Sequence, residues 1–266
     1  MIGRMGLHVH HEQAGSGPPL LYIGGTGGDL RAKPNVLAGP LIEHFEVLAF
    51  DQRGQGRSDK PDEAYAMAQY ADDAVGLLAA VGWTKAHVMG VSFGGMVAQE
   101  LAIRNPGAVD RLVLACTSSG GTGGASYPLH ELEALPDDER FARHLSLSDV
   151  RRDAAWQAEH PDQVAQLRAF ADGRAALGAD DPAAAVGRRR QLEARSHHDT
   201  TDRLPQVASP TLVCAGRHDG IAPVTNSEVL AERIPDARLR VFDGGHLFLL
   251  QDRAAWPAIV EFLAPA

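Results

Sequence analysis

The stretch AHVMGVSFGGMVAQELAIRNP, residues 86–106, changes character at its seventh residue. Ala86 to Val91 is a short apolar run of the kind that forms a buried strand. From Phe93 onward the residues suit a helix, which Pro106 stops. Gly90-Val91-Ser92-Phe93-Gly94, followed by Gly95, therefore puts a serine on a tight strand-to-helix turn. A serine there must adopt a strained backbone conformation. Side chains two residues to either side would collide with neighbouring chain, which is why glycine stands at both positions. The turn lifts the hydroxyl clear of the sheet and sets the following N–H groups at a helix N-terminus, where negative charge is favoured. A glycine-rich turn with an incidental serine is the plainer alternative, but the strand before and the helix after are the context a nucleophile requires.

The same rhythm extends outward. PPLLYIGG (18–25), FEVLAFD (45–51), RLVLACTSS (111–119), PTLVCAG (210–216) and ARLRVFDGG (237–245) read as strands. Residues 66–81, TNSEVLAERI (225–234) and RAAWPAIVEFL (253–263) read as helices. Continuous apolar strands separated by helices predict an α/β fold with a mostly parallel central sheet covered on both faces. The pattern breaks at Gly120-Gly121-Thr122-Gly123-Gly124. From there to Leu204 no strand is evident, and Leu129, Leu132, Leu135, Phe141, Leu145, Trp156, Leu167 and Phe170 lie among many charges. This predicts a core built from 1–119 and 206–266, interrupted by a helical insertion over 120–205. The apolar stripe of the insertion serves either an apolar acyl group or simple packing on the sheet.

Length and composition agree with one main domain. The chain has 266 residues, 44% hydrophobic and 22% charged, with formal net charge −9. Such a charge repels phosphate backbones, so nucleic acid is not an expected partner. The first residues lack a signal-peptide core, and no run approaches the ~20 apolar residues that span a bilayer. The expectation is a cytoplasmic protein with no membrane partner. Its two cysteines, Cys116 and Cys214, sit in apolar strand runs and read as buried reduced thiols, too few for a zinc cluster.

A serine hydroxyl needs a base. Among 12 histidines, His246 alone follows a core strand in a glycine turn, Asp243-Gly244-Gly245-His246. His8, His10 and His11 alternate along an N-terminal strand and are expected to face solvent. The base needs an acid to hold its tautomer. Asp219, in the loop after PTLVCAG, fits the order Ser…Asp…His. The rival loop, Thr117-Ser118-Ser119, offers no carboxylate, and Asp243 reads as a strand end or turn cap. Two N–H donors are needed for the oxyanion. Phe93 follows the nucleophile, and Thr26 lies in the glycine-rich loop Gly24-Gly25-Thr26-Gly27-Gly28 after the first core strand. That loop lacks the lysine and Ser/Thr of a phosphate-binding loop. His8-Val9-His10-His11 gives HxHH and then Glu12, which falls short of the HxHxDH run of a metal-dependent lactonase.

Together these residues resemble the α/β-hydrolase fold superfamily over nearly the whole chain. The segment Asp51-Gln52-Arg53-Gly54-Gln55-Gly56-Arg57-Ser58-Asp59 is similar to the family's loop after its fourth strand. Within the superfamily the chain looks most like the small esterase and lactonase branch. That branch includes 3-oxoadipate enol-lactonases, acyl-homoserine lactonases and antibiotic methyl esterases. The resemblance implies a serine hydrolase acting on a small-molecule ester or lactone without metal or organic cofactor. It also implies that 120–205 is a cap over the site, with Gly25 and Trp156 as substrate-contacting candidates. One departure stands out: the family's His-Gly pair at the start of the oxyanion loop is here Gly24-Gly25. A C–C bond hydrolase or a cofactor-free perhydrolase would keep the same serine, acid and base. A ligand receptor on a hydrolase fold is the non-enzyme alternative. The sequence leaves the oligomeric state open.

Overall fold

A computed structural model describes residues 6–264. Among them seven strands form one sheet: β1 (His11–Ala14), β2 (Pro19–Ile23), β3 (Glu46–Phe50), β4 (Ala86–Val91), β5 (Val109–Ala115), β6 (Thr211–Gly216) and β7 (Ala237–Phe242). Their spatial order is β1-β3-β2-β4-β5-β6-β7. Every pairing is parallel except that of β1 with β3, where His11 lies opposite Phe50 and Ala14 opposite Val47. After β2 the chain first steps to one side, into β3, and then returns to the other, into β4. The crevice beyond the C-terminal ends of β2 and β4 is thus a topological switch point, where open α/β sheets place their ligands.

The helices are α1 (Met67–Ala80), α2 (Phe93–Arg104), α3 (Asp137–Ser148), α4 (Ala154–Glu159), α5 (Pro161–Ala176), α6 (Ala184–Ser196), α7 (Val224–Arg233), α8 (Phe248–Gln251) and α9 (Ala255–Leu263). Helices α1, α2 and α7 cover one face of the sheet and α9 covers the other. The continuous apolar strands follow from this double cover. Leu20 and Leu21 are consecutive and point to opposite faces, yet both are fully buried, one in each core cluster. Burying a leucine this completely stabilises the fold by roughly 1.5–3 kcal/mol. Helix α1 buries Met67, Tyr70, Ala71, Ala74, Leu77 and Leu78, at helical spacing. Its start is capped by the Gln69 side chain, which accepts from the Ala66 N–H at 2.8 Å. Cys116 and Cys214 are free and buried.

Between β5 and β6 lie α3 to α6 and no strand, apart from one isolated bridge between Gly120 and Asp199. Entry and exit of this segment are stitched together. Thr200 N–H donates to Ser119 O at 2.8 Å, Thr201 Oγ1 to Gly120 O at 2.7 Å, and Thr200 Oγ1 to Gln99 Oε1 on α2 at 2.6 Å. The chain therefore leaves the sheet and returns at one place, so the sheet continues as if uninterrupted. The expected apolar stripe is only partly used for packing. Leu132 and Leu145 are buried, whereas Phe170 is 52% exposed and lies beneath the Arg174 guanidinium. Helix α5, which carries it, has no buried residue. No helix among the described residues is long and apolar enough to cross a membrane.

His198 sits within the stitched stem. Its ring contacts Ser118 O at 3.2 Å, and burial pushes its pKa down to about 4 from 6.5. Neutral imidazole donates Nε2–H to that carbonyl, so the folded protein holds the ring uncharged. The unfolded chain binds the proton first as pH falls. The His198 contribution is therefore complete above about pH 6.5 and is lost as pH falls toward 4, amounting to roughly 3 kcal/mol over the window. In a His198→Gln protein, the fall in denaturant-unfolding free energy across this window should be smaller than wild type by about that amount. Equal pH dependence in the two proteins would contradict the assignment.

Candidate active site

The crevice at the switch point receives two loops, one from each neighbouring strand. Ser92 stands on the turn from β4 into α2 with φ 54° and ψ −117°, a conformation that costs a non-glycine residue of order 1–3 kcal/mol. The surroundings hold it there. Ser92 N–H donates to Ala115 O, and Ser92 O accepts from Thr117 Oγ1, both at 2.8 Å. The flanking glycines are required by space. A Cβ on Gly90 would stand 2.3 Å from Gly94 O, and one on Gly94 would stand 2.0 Å from Ile23 O at the end of β2. The elbow is folded onto itself and onto the neighbouring strand, as the glycine spacing predicts.

The structure brings Ser92, His246 and Asp219 into one hydrogen-bonded line. His246 Nε2 lies 2.9 Å from Ser92 Oγ, and His246 Nδ1 lies 2.7 Å from Asp219 Oδ2. The other carboxylate oxygen, Oδ1, accepts from the N–H groups of Ile221 at 2.8 Å and Ala222 at 2.9 Å. The Asp219 side chain is fully buried. A carboxylate held this way accepts only, so Nδ1 carries the ring proton and Nε2 is free to accept from the serine hydroxyl. Asp243, the nearer acid in sequence, turns to solvent and meets His218 and Arg151 instead.

Three main-chain bonds tie the end of α3 to the loops that carry this line. His246 N–H donates to Ser148 O at 2.6 Å, Gly220 N–H to Leu147 O at 2.9 Å, and Val150 N–H to His218 O at 2.9 Å. Gln251 adds a side-chain tie, accepting from Gly245 N–H at 2.7 Å and donating to Asp149 Oδ2 at 3.0 Å. Burial pushes the imidazole of His144, also on α3, below its ordinary pKa, and the neighbouring His246 pushes the same way.

The Gly24–Gly28 loop faces the elbow. A Cβ on Gly25 would be 3.5 Å from the Ser92 Cβ, so the Gly25 backbone packs directly on the serine. Gly28 N–H closes a turn on Gly25 O at 3.1 Å. Among the described residues neither the Thr26 N–H nor the Phe93 N–H, the first of α2, meets a protein acceptor. Two glutamines brace the loop that lacks the family's histidine. Gln52, after β3, donates Nε2–H to Gly24 O at 2.9 Å. Gln191, on α6, accepts from Gly27 N–H at 2.9 Å. Sequence reasoning singled out neither, because nothing in DQRGQG or RRRQLEAR marks which glutamine turns inward.

On α4 the Trp156 ring stacks on His160, one turn later, at 4.6 Å, and Arg152 lies over it at 5.7 Å. His10 meets Glu12 and Arg57 on the surface. Among the described residues no three His, Cys, Asp or Glu side chains are grouped to hold a metal ion.

Comparison with known proteins agrees with this architecture. The alpha/beta hydrolase fold family matches residues 18–252. The 2-hydroxymuconate semialdehyde hydrolase of Pseudomonas sp. (strain CF600) is 34% identical, over 98% of this chain and 92% of its own length. The poly(3-hydroxyalkanoate) depolymerase of Ectopseudomonas oleovorans is 30% identical, over 92% of this chain and 84% of its own. The crystal structure of the enol-lactonase from Burkholderia xenovorans LB400 shares the fold, with a TM-score of 0.78 at 23% identity over 97% of both chains. A match that begins just before β2 and ends just after α8, on a sheet of this strand order, means that the chain belongs to the alpha/beta hydrolase fold family.

Proposed function

We propose that the protein hydrolyses carboxylic esters or lactones through an acyl-enzyme on Ser92, with residues 120–205 as a cap over the site. The observation that carries this reading is the line Ser92 Oγ, His246 Nε2, His246 Nδ1, Asp219 Oδ2, with links of 2.9 and 2.7 Å. His246 removes the Ser92 proton as the hydroxyl attacks the carbonyl carbon. Asp219 keeps Nδ1 protonated and stabilises the imidazolium that forms. The N–H groups of Thr26 and Phe93 receive the oxyanion, with Gly25 lining the serine. One such donor contributes about 2.7–4 kcal/mol to the barrier reduction where it has been measured. The imidazolium then protonates the leaving oxygen, and water, deprotonated by the same Nε2, cleaves the acyl-serine. Proton and charge return to their starting places, so the cycle needs nothing beyond water.

A second reading keeps the same three residues and changes the leaving atom. The relative at 34% identity is named a 2-hydroxymuconate semialdehyde hydrolase, which favours cleavage of a C–C bond. In that reaction the departing atom is carbon and must be protonated as carbon before it leaves. A substrate panel separates the two. Aryl esters and lactones should be turned over, and vinylogous diketones of the C–C type should be inert. Turnover of the diketones alone would replace the ester reading.

Two substitutions test the mechanism. Ser92→Ala should lower kcat by on the order of 10⁶ and abolish labelling by a fluorophosphonate. Near wild-type hydrolysis by this variant would remove Ser92 from the chemistry. Asp219→Asn should lower kcat by roughly 10⁴, because an amide at this position favours the wrong imidazole tautomer. A loss below about tenfold would mean that another group orients His246.

A further inference from the structure

Helix α6 rests on the core by direct backbone contact. A Cβ on Gly187 would stand 2.0 Å from Gly54 O, so only glycine lets the helix settle this deeply on the loop after β3. One turn later α6 presents Gln191, which is fully buried. Its Oε1 accepts from Gly27 N–H at 2.9 Å, which fixes the amide's orientation, since the flipped amide would set donor against donor. The Nε2 end is then a pure donor. It is buried and, among the described residues, has no partner. One residue before Gly27, the Thr26 hydroxyl is also buried and without a partner. One unmet polar group thus belongs to the Gly24–Gly28 loop and the other to a side chain bonded to it. Buried polar groups are nearly always satisfied, and a buried donor left unmet is costly.

We propose that Gln191 Nε2 and Thr26 Oγ1 form a polar subsite for a second oxygen on the acyl chain, a few bonds from the scissile carbonyl. This rests on the reading of Ser92 as the nucleophile of an ester hydrolase. His246 must reach the leaving oxygen, so the leaving group lies toward His246 and the oxyanion-loop side is left for the acyl part. Gln191 can only donate there, so the substrate atom is an acceptor: a hydroxyl, ether, keto or amide oxygen. The acyl class selected is oxygenated rather than plain alkyl.

The test compares the aryl ester of butanoic acid with that of β-hydroxybutanoic acid, using kcat/KM for wild type, Gln191→Leu and Gln191→Glu. The quantity read is the ratio between the two esters, from which a general fall in activity cancels. Wild type should prefer the β-hydroxy ester by at least about tenfold, since a site built to bond a substrate oxygen discriminates against the analogue lacking it. Gln191→Leu should erase that preference. Gln191→Glu keeps an oxygen for Gly27 N–H and donates only while protonated, so its ratio should fall as pH rises and the carboxyl ionises. A merely structural role for Gln191 would produce no such pH-dependent ratio. Melting curves establish that the variants are folded, and Gln191→Glu keeps the test decisive if Gln191→Leu is not. Wild type that treats both esters alike, or a ratio unchanged in the folded variants, overturns the subsite and leaves the hydrolase reading standing. If neither ester is turned over and a fluorophosphonate leaves Ser92 unlabelled, the hydrolase reading fails and the subsite falls with it.

Discussion

The backbone of Gly94 lies against the end of β2, so closely that a Cβ there would stand 2.0 Å from Ile23 O. This contact joins the first turn of α2 to the strand that leads into the Gly24–Gly28 loop. It exists because β2 and β4 are neighbours although β3 comes between them in the chain. The elbow and the Gly24–Gly28 loop follow different strands, and this strand order sets the two loops side by side. A Cβ at Gly94 would push the elbow, and Ser92 with it, away from the end of β2 and the loop that follows it. The strained φ of 54° at Ser92 belongs to the same constraint. The turn is held by bonds to Ala115 O and Thr117 Oγ1 on the far side, so the strain is borne by β5 and its loop rather than by the elbow alone.

Asp219 shows how little of the site is independent. One carboxylate oxygen takes the N–H groups of Ile221 and Ala222, and the other takes His246. The bonds that shape the acid's own loop therefore also aim the acid at the histidine. The histidine is fixed from a second direction, through its main-chain N–H on Ser148 O at the end of α3. Orientation set by packing and main-chain bonds costs nothing further when a substrate arrives, which is where electrostatic preorganisation has its value.

The sheet was legible because its signals are periodic and local. Strands buried on both faces, such as β4 and β6, leave continuous apolar runs, and the elbow glycines answer to clashes within a few residues. Ser92, Asp219 and His246 could be read in order because each follows a strand, and parallel strands deliver their C-terminal loops to one edge. The antiparallel pairing of β1 was not legible, since four half-exposed residues carry no directional pattern. Nor were Gln52 and Gln191. A glutamine that turns inward is chosen by tertiary distance, between residues 28 and 164 positions from their partners, and no spacing rule encodes that. The surroundings of Trp156 were not legible either: its ring meets His160 and Arg152, one turn to either side, a pairing that no spacing rule in a charged helical segment singles out.

The helical segment holds the core at both ends of the candidate site. Through α3 it fixes the main chain of His246 and of Gly220, and through α6 and Gln191 it fixes the Gly24–Gly28 loop at Gly27. A core stripped of this segment would lose a brace on His246 and a brace on that loop together. The absent histidine of the loop makes the second brace matter more. Where Gly24 replaces a side chain that could bond, Gln52 supplies one hold from within the core and Gln191 the other from outside it. Any movement of α6 away from Gly54 would release Gly27, and any movement of α3 would release His246. Alignment of the loop and of the base is thereby coupled to seating of the segment.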